Sequence, residues 1–553
     1  MKKIVYTALA ILFVSVCANA VTRSKKNEIS KNLDIFNALF KEMQTFYVDT
    51  INAEDAIETA IGGMLSKLDP YTEYMPKKKQ EEFHELMSGE YGGIGSYIMQ
   101  RNGDVYISGP QEGTPAAKAG LKPGDKIVTI DNDTVLGMSH DKVSDKLKGQ
   151  PGSTVRISVC RPFVKDSMLT FDVVREKIQM PSVQYAGVVN GNIGYIYLTS
   201  FTEKSPQEVR DALLEFKKNP NVKGVVLDLR NNPGGALESA VKIVSNFVPK
   251  GTEVLRTRGK GVLNEQVYKT TSGPIMPDMP LAVLIDQGSA SASEITAGAL
   301  QDLDRAVIIG NRSFGKGLVQ TTRQLPYEEL LKVTMARYYI PSGRLIQAID
   351  YSHRNPDGSV SRIPDSLTNV FTTAGGRTVR DGGGITPDLE VKYPEMSRIT
   401  FNIMRDNWAF DYANKFASEH PTIASPDKFE ITDSIYEDFK KFIDPEKFNY
   451  DKVCETILNQ LREAAKIEGY MNDSVEAQFT VLEGMLKHPL EKDLDTHREA
   501  ISPYLLQEIV ERYYYQKGMN IAQLRKDPGF DEAEKILLDP AEYRKILSPK
   551  PTK

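Results

Sequence analysis

The sequence predicts a multidomain α+β protein organised around an α/β core. Three observations carry that prediction. Across residues 180–395, short apolar runs alternate with segments of helical spacing. Residues 91–178 instead hold several short strands between glycine-rich turns. Both flanks, 27–90 and 396–553, carry helical periodicity. A chain of 553 residues has room for three or four domains.

Met1–Ala20 reads as a secretory signal. Lys2 and Lys3 supply the positive start, Ile4–Val16 the apolar centre and Ala18-Asn19-Ala20 an A-x-A cleavage site. An uncleaved anchor and a lipid on Cys17 stay open as alternatives. The expectation is an exported protein, periplasmic or extracellular, with membrane association left open. The net charge of −5 and the lack of a basic cluster argue against a nucleic-acid partner. Cys160 and Cys454 fall in different predicted domains, and the sequence does not decide whether they pair. No Cys/His spacing of the metal-binding kind occurs, and no metal or organic cofactor is expected.

Residues 21–90 are expected to form a helical segment. Leu33, Phe36, Leu39, Phe40 and Met43 recur at helical spacing, as do Ala56, Ile57, Ala60, Ile61 and Met64. The stripe reads as packing surface. Residues 91–178 open on Tyr91-Gly92-Gly93-Ile94-Gly95-Ser96. Strands follow at Asp104–Ser108, Lys126–Ile130 and Thr154–Cys160, with a short helix in Gly113–Leu121 that ends on glycine. This is a small β-rich module.

In residues 179–395 the predicted strands Ile193–Leu198 and Val222–Leu227 flank a helix at Ser205–Lys217. The second strand runs into Asp228-Leu229-Arg230-Asn231-Asn232-Pro233-Gly234-Gly235 and an apolar helix, Ala236–Phe247. Leu281–Ile285 is a buried strand. A small-residue turn, Gly288–Ser293, leads into a helix from Glu294 to Leu303 and a strand at Ala306–Ile309. Lys316 then sits in Phe314-Gly315-Lys316-Gly317. Open α/β sheets place their sites in such turns, at the carboxyl ends of strands. Leu331–Ala336 and Tyr338–Ile340 read as two further strands, and Gly382–Asp388 as a loop. Residues 396–553 are charged and helical, for example at Val453–Ala465 and Ile509–Gln516. They form a domain of unassigned role that packs on the core or mediates assembly.

Ser291 admits two readings. With Glu294 it forms a capping box, Ser at N-cap and Glu at N3. A helix start also offers unpaired N–H groups to a developing oxyanion, which suits a nucleophile. A serine nucleophile needs a base. Of the histidines, only His353 lies in the α/β segment, in a polar loop, and none lies in the strand-end turns. Lys316 is the alternative. A lysine acts as a base only when its surroundings favour the neutral amine. Phe314, Gly315, Gly317, Leu318 and Val319 supply an apolar, small setting, and Gln320 could orient the amine without adding charge. On local sequence alone Lys316 is equally a surface lysine in a glycine turn. Gly310–Lys316 also matches the start of a P-loop, but Gly317 replaces the required Ser/Thr and Leu318–Thr322 is strand-like rather than helical.

Taken together, the motifs resemble the C-terminal processing peptidases, also called tail-specific proteases. The matching stretches are VVLDLRNNPGGAL, GSASASEITAGALQD, GKGLVQ, ARYYIPSGRLIQ and DGGGITPDLEV, in the family's order. GTPAAKAGLKPGDKIVTIDN resembles the signature of protease-associated PDZ domains. The resemblance spans roughly residues 68–390 and excludes 396–553. It implies a crotonase-like or ClpP-like peptidase core at 179–395 with an inserted PDZ domain at 91–178. It implies a serine endopeptidase with a serine–lysine dyad: Ser291 as nucleophile, Lys316 as general base and Gln320 orienting Lys316. Ala292 and either Gly234 or Gly235 would donate the oxyanion-hole N–H groups. The PDZ groove would bind a substrate's C-terminal tail, its carboxylate held by the backbone of Gly93, Ile94 and Gly95. Protein substrates are therefore the implied partners. A regulatory or adaptor protein and a homo-oligomer stay open. The rival readings are a non-catalytic PDZ scaffold and a sensor protease that makes one regulatory cut.

Overall fold

The computed structural model describes residues 27–260, 265–448, 453–486 and 489–549. The expected signal, Met1–Ala20 with Cys17, lies outside the described residues. Among the described residues no helix is long and apolar enough to cross a membrane. The chain divides into two compact units. One holds the residues up to Lys77 and Gln320–Thr334, the other Lys78–Val319 and Met335 onward.

In the first unit a helix covers 27–46, and a second runs Ala53–Leu65, capped where Asn52 accepts the Glu54 N–H. The strand Glu73–Met75 pairs antiparallel with Leu330–Lys332. Of the stripe expected to be packing surface, Leu33, Phe36, Leu39, Met43 and Met64 are solvent-exposed among the described residues, while Phe40, Ala56, Ile57, Ala60 and Ile61 are half-buried. Periodicity registers an apolar face without saying what covers it.

The second unit is built on a sheet ordered 183–189, 193–198, 224–228, 281–285, 307–310, 389–390. The first pair is antiparallel and the rest are parallel. Gly224–Asp228, Leu281–Ile285 and Val307–Gly310 are buried throughout, which is why they read as unbroken apolar runs. The helices Ser205–Lys218, Leu237–Val244 and Ala292–Asp302 line one face around Leu227, Val283, Ile243 and Ile295. The opposite face is covered from the far end of the chain. Leu524, Phe530, Ala533, Ile536, Leu537 and Tyr543 pack on Val226, Leu284 and Ile309. The Tyr543 hydroxyl accepts the Leu281 N–H at 3.0 Å. The last helices, Pro528–Leu537 and Pro540–Ile546, are thus a layer of the α/β core.

The β-rich module folds as a sheet in the order 96–101, 104–110, 126–130, 154–160, 168–174. Ile107, Ile127, Val143, Val155 and Ile157 form its own core. The helical region from Arg398 has a separate core of Ile403, Tyr412, Phe439, Leu505 and Ile509. Arg101 of the β-rich module meets Asp411 of the helical region at 2.6 Å. Cys160 and Cys454 are both free thiols. Leu330–Tyr339 is one continuous strand, where the sequence suggests two, because Arg337 does not interrupt extended backbone.

Candidate active site

Three turns leave the carboxyl ends of neighbouring parallel strands and meet. They are Leu229–Gly235, Asp286–Ser291 and 311–317. Asp286 Oδ1 accepts N–H groups from Asn231, Gly288 and Ser289. Ser289 Oγ donates to the Leu229 carbonyl at 2.7 Å, and the Phe314 N–H donates to the Ser289 carbonyl at 3.0 Å. The Asn232 carbonyl accepts both the Ala290 N–H and the Ser293 hydroxyl. The turns are therefore mutually stitched rather than independently mobile.

Ser291 stands at the N-cap of the Ala292–Asp302 helix with φ 55° and ψ −110°. This is a strained backbone for a residue with a Cβ, and such strain concentrates at functional turns. Ala292 is the first helical residue and is fully buried. Gly234 lies against this turn with φ +100°. A Cβ there would stand 2.7 Å from the Ala290 carbonyl oxygen and 2.9 Å from Ser291 Cβ, so only glycine fits. The Gly234 N–H donates to Asn232 Oδ1 at 2.9 Å. Gly235 forms an isolated bridge with Phe201.

Lys316 is half-buried between two buried glycines. Its backbone is anchored twice. The N–H donates to Glu294 Oε2 at 2.8 Å, and the carbonyl accepts from the Tyr338 hydroxyl at 2.8 Å. The same two side chains hold Ser291: Glu294 Oε2 accepts its N–H at 2.9 Å, and the Tyr338 hydroxyl lies 3.2 Å from its carbonyl oxygen. Glu294 Oε1 further accepts the Gly315 N–H at 2.7 Å and the Ser313 hydroxyl. Burial pushes the Glu294 carboxyl up from its ordinary range, and the four donors only partly oppose this. Sequence reasoning sees Glu294 as a cap. It misses that the carboxylate also binds the lysine loop, although a charged residue in an otherwise small, apolar helix start is the available signal. Tyr338 leaves no local signal.

Gln320 lies in the strand Leu318–Gln324 and in the first unit, where its amide donates to Thr334 Oγ1 at 3.1 Å. That strand directly follows the lysine loop and removes the P-loop alternative, which needs a helix there. His353 sits on an exposed loop against Asp350. In the β-rich module, Gly93 ends a short strand paired with Glu176. Ile94 is buried, and its carbonyl accepts the Ala116 N–H. Gly95 has φ +73° and its carbonyl accepts the Thr114 hydroxyl. The neighbouring strand Ser96–Arg101 is the outer edge of its sheet.

Comparison with known proteins gives this arrangement its family. The model of peptidase family S41 matches residues 192–360. A PDZ-domain model matches 106–161, a C-terminal helical domain of probable PDZ-proteases matches 399–537, and the N-terminal domain of the activating protease CtpB matches 12–79. The carboxy-terminal-processing protease of Bartonella bacilliformis is 37% identical over 385 residues, 68% of this chain and 87% of the relative. The chain belongs to peptidase family S41. A probable CtpA-like serine protease of Staphylococcus haemolyticus is 30% identical over 82% of this chain and 89% of its own length. The solved photosystem II D1 C-terminal processing protease is 28% identical, covering 64% of this chain and 85% of that chain with a TM-score of 0.35. This S41 chain is thus a serine-type peptidase of the C-terminal processing kind, with a PDZ domain and a helical C-terminal domain. The helical match extends the likeness beyond residue 390, where sequence motifs end.

Proposed function

We propose that this peptidase cuts protein substrates near their C-termini with Ser291 as nucleophile and Lys316 as general base. The observation that carries the reading is the joint anchoring of Ser291 and Lys316 on Glu294 at the carboxyl ends of the strands in an S41 chain. Neutral Lys316 takes the Ser291 hydroxyl proton while Oγ attacks the scissile carbonyl carbon. The C–N bond breaks, the lysine returns the proton to the departing amine, and water hydrolyses the acyl ester. Ala292 and one of the Gly234–Gly235 pair donate N–H groups to the oxyanion, Gly234 only by giving up its bond to Asn232 Oδ1. Gln320 orients the lysine amine.

The PDZ domain captures the substrate tail. The edge position of Ser96–Arg101 supports strand addition, and the Gly93-Ile94-Gly95 backbone is the place for the terminal carboxylate. The Met1–Ala20 pattern supports an exported protein. The deciding experiment is cleavage of an unfolded protein with an apolar tail by wild type and by Ser291→Ala. Cleavage by wild type alone is expected. Equal cleavage by both would remove Ser291 from the role.

A further inference from the structure

Arg230 lies in the turn that leads to Gly234 and is largely buried, its side chain 12% exposed. Its guanidinium is held by two carboxylates from opposite ends of the fold. Asp228, at the end of its own strand, receives Nε at 2.9–3.0 Å and also Nη2. Asp527, 297 residues later, receives Nη1 at 2.9 Å and Nη2 at 2.6 Å in a bidentate fork. Nη1 also donates to the Tyr393 hydroxyl at 3.1 Å. Asp527 is 5% exposed and has a second task. Its Oδ1 accepts the Gly529 and Phe530 N–H groups and so caps the Pro528–Leu537 helix. The turn that Arg230 belongs to carries Asn231 and Asn232, which are bonded to Asp286, Ala290 and Ser293 on either side of Ser291.

We propose that Asp527 is a positioning residue for the peptidase reaction, acting through Arg230 to hold the Leu229–Gly235 turn against the Ser291 turn. The C-terminal helical region then sets the geometry of the oxyanion site as well as covering the sheet. Both functions pass through one side chain, and a substitution can separate them. Asp527→Asn retains an oxygen that caps the helix but loses the charge and the two-pronged acceptor that Arg230 needs. The inference rests on the reading of Ser291 as nucleophile.

The test uses the full chain and two readouts: cleavage of a tailed protein substrate, and labelling of Ser291 by a fluorophosphonate. Asp527→Asn is expected to lower kcat by about 10-fold or more with KM changed less than about two-fold, because misplacing reacting groups costs turnover rather than binding. Labelling slows in parallel, and because the thermal midpoint also falls when the buried guanidinium loses an acceptor, both rates are compared at a temperature where each variant is fully folded. In the Arg230→Gln background Asp527→Asn adds nothing further, since its effect passes through Arg230. Unchanged kcat and labelling in Asp527→Asn, or full additivity with Arg230→Gln, would overturn the proposal. Should Asp527→Asn fail to fold, Asp527→Ser takes its place, keeping a capping oxygen for the helix while removing the fork on Arg230. A fall in kcat at constant KM supports the proposal, and wild-type kcat overturns it. Cleavage that Ser291→Ala retains in full contradicts the Ser291 reading instead, and the proposal falls with it.

Discussion

Glu294 and Lys316 are joined through the backbone: Glu294 Oε2 accepts the Lys316 N–H at 2.8 Å, and the same oxygen accepts the Ser291 N–H at 2.9 Å. One fully buried carboxylate thus spaces the two residues proposed to carry the reaction, although 24 residues of helix, strand and turn separate them in the chain. In Glu294→Gln, an NH2 group replaces one oxygen and faces N–H or hydroxyl donors that it cannot accept from. Each buried donor left unpaired costs about 1–3 kcal/mol. The variant should lose stability by about 2 kcal/mol or more in urea unfolding and turn over about 10-fold more slowly or worse. Wild-type turnover would show that the shared carboxylate does not matter for the dyad.

The same carboxylate gives a pH signature. Its folded pKa is raised above the ordinary 4.5, with burial the largest cause. Between those two values the folded state binds the proton more than the unfolded state does, so stability falls as pH rises. The contribution is fully present below the unfolded pKa and lost as pH passes the raised folded one. The stability advantage of wild type over Glu294→Gln should therefore shrink as pH is raised through that window. Unfolding free energies of the pair, measured across it, would show a widening gap if the sign were wrong.

Tyr338 is 1% exposed, and its single hydroxyl proton faces the carbonyls of both Lys316 and Ser291. Tyr338→Phe keeps the ring in the core and removes the hydroxyl that ties the two carbonyls. Stability should fall by about 1 kcal/mol, the usual net worth of one buried hydrogen bond. Turnover should fall further than that number suggests, with KM little changed. A loss confined to KM would place the hydroxyl in substrate binding instead.

Gly95 combines φ +73° with a site where a Cβ would approach Thr114 Cβ to 2.4 Å. Gly95→Ala must shift the backbone that is proposed to hold the tail carboxylate. Affinity for a C-terminal peptide, measured by fluorescence polarisation, should drop by about 10-fold or more, the scale of a 1.4 kcal/mol loss. Fluorophosphonate labelling of Ser291 should be unaffected. Unchanged peptide affinity would take the groove assignment away from this loop.

How much of this was legible beforehand follows burial. Leu281–Ile285 is an interior parallel strand and Ile193–Leu198 an interior strand with one parallel and one antiparallel neighbour, and both are almost wholly buried, so their apolar runs announce them. Glu253–Gly259 and Glu265–Lys269 pair beside the core with partly exposed faces, and their mixed polar residues gave no signal. Ser291, Lys316 and Gly234 stand in short local motifs at strand ends. Glu294 to Lys316 and Arg230 to Asp527 are contacts made across the fold, and nothing in one segment records its distant partner. Helical spacing marked the end of the chain as helical but could not say that its last two helices lie on the peptidase sheet.

That placement can be tested directly. Leu537 is 2% exposed and lies so close to the sheet that a Cβ on Gly224 would stand 2.8 Å from Leu537 Cβ. Leu537→Ala leaves a cavity beneath the central strands and should cost about 3 kcal/mol. Its neighbour Leu538 is 43% exposed, so Leu538→Ala should stay within about 0.5 kcal/mol. If the last helices are a layer of the core, Leu537→Ala shifts the unfolding transition of the peptidase core itself, read from Ser291 labelling lost with rising urea. Equal effects from the two leucines, or a core transition untouched by either, would mean that the helices cover the sheet without contributing to its stability.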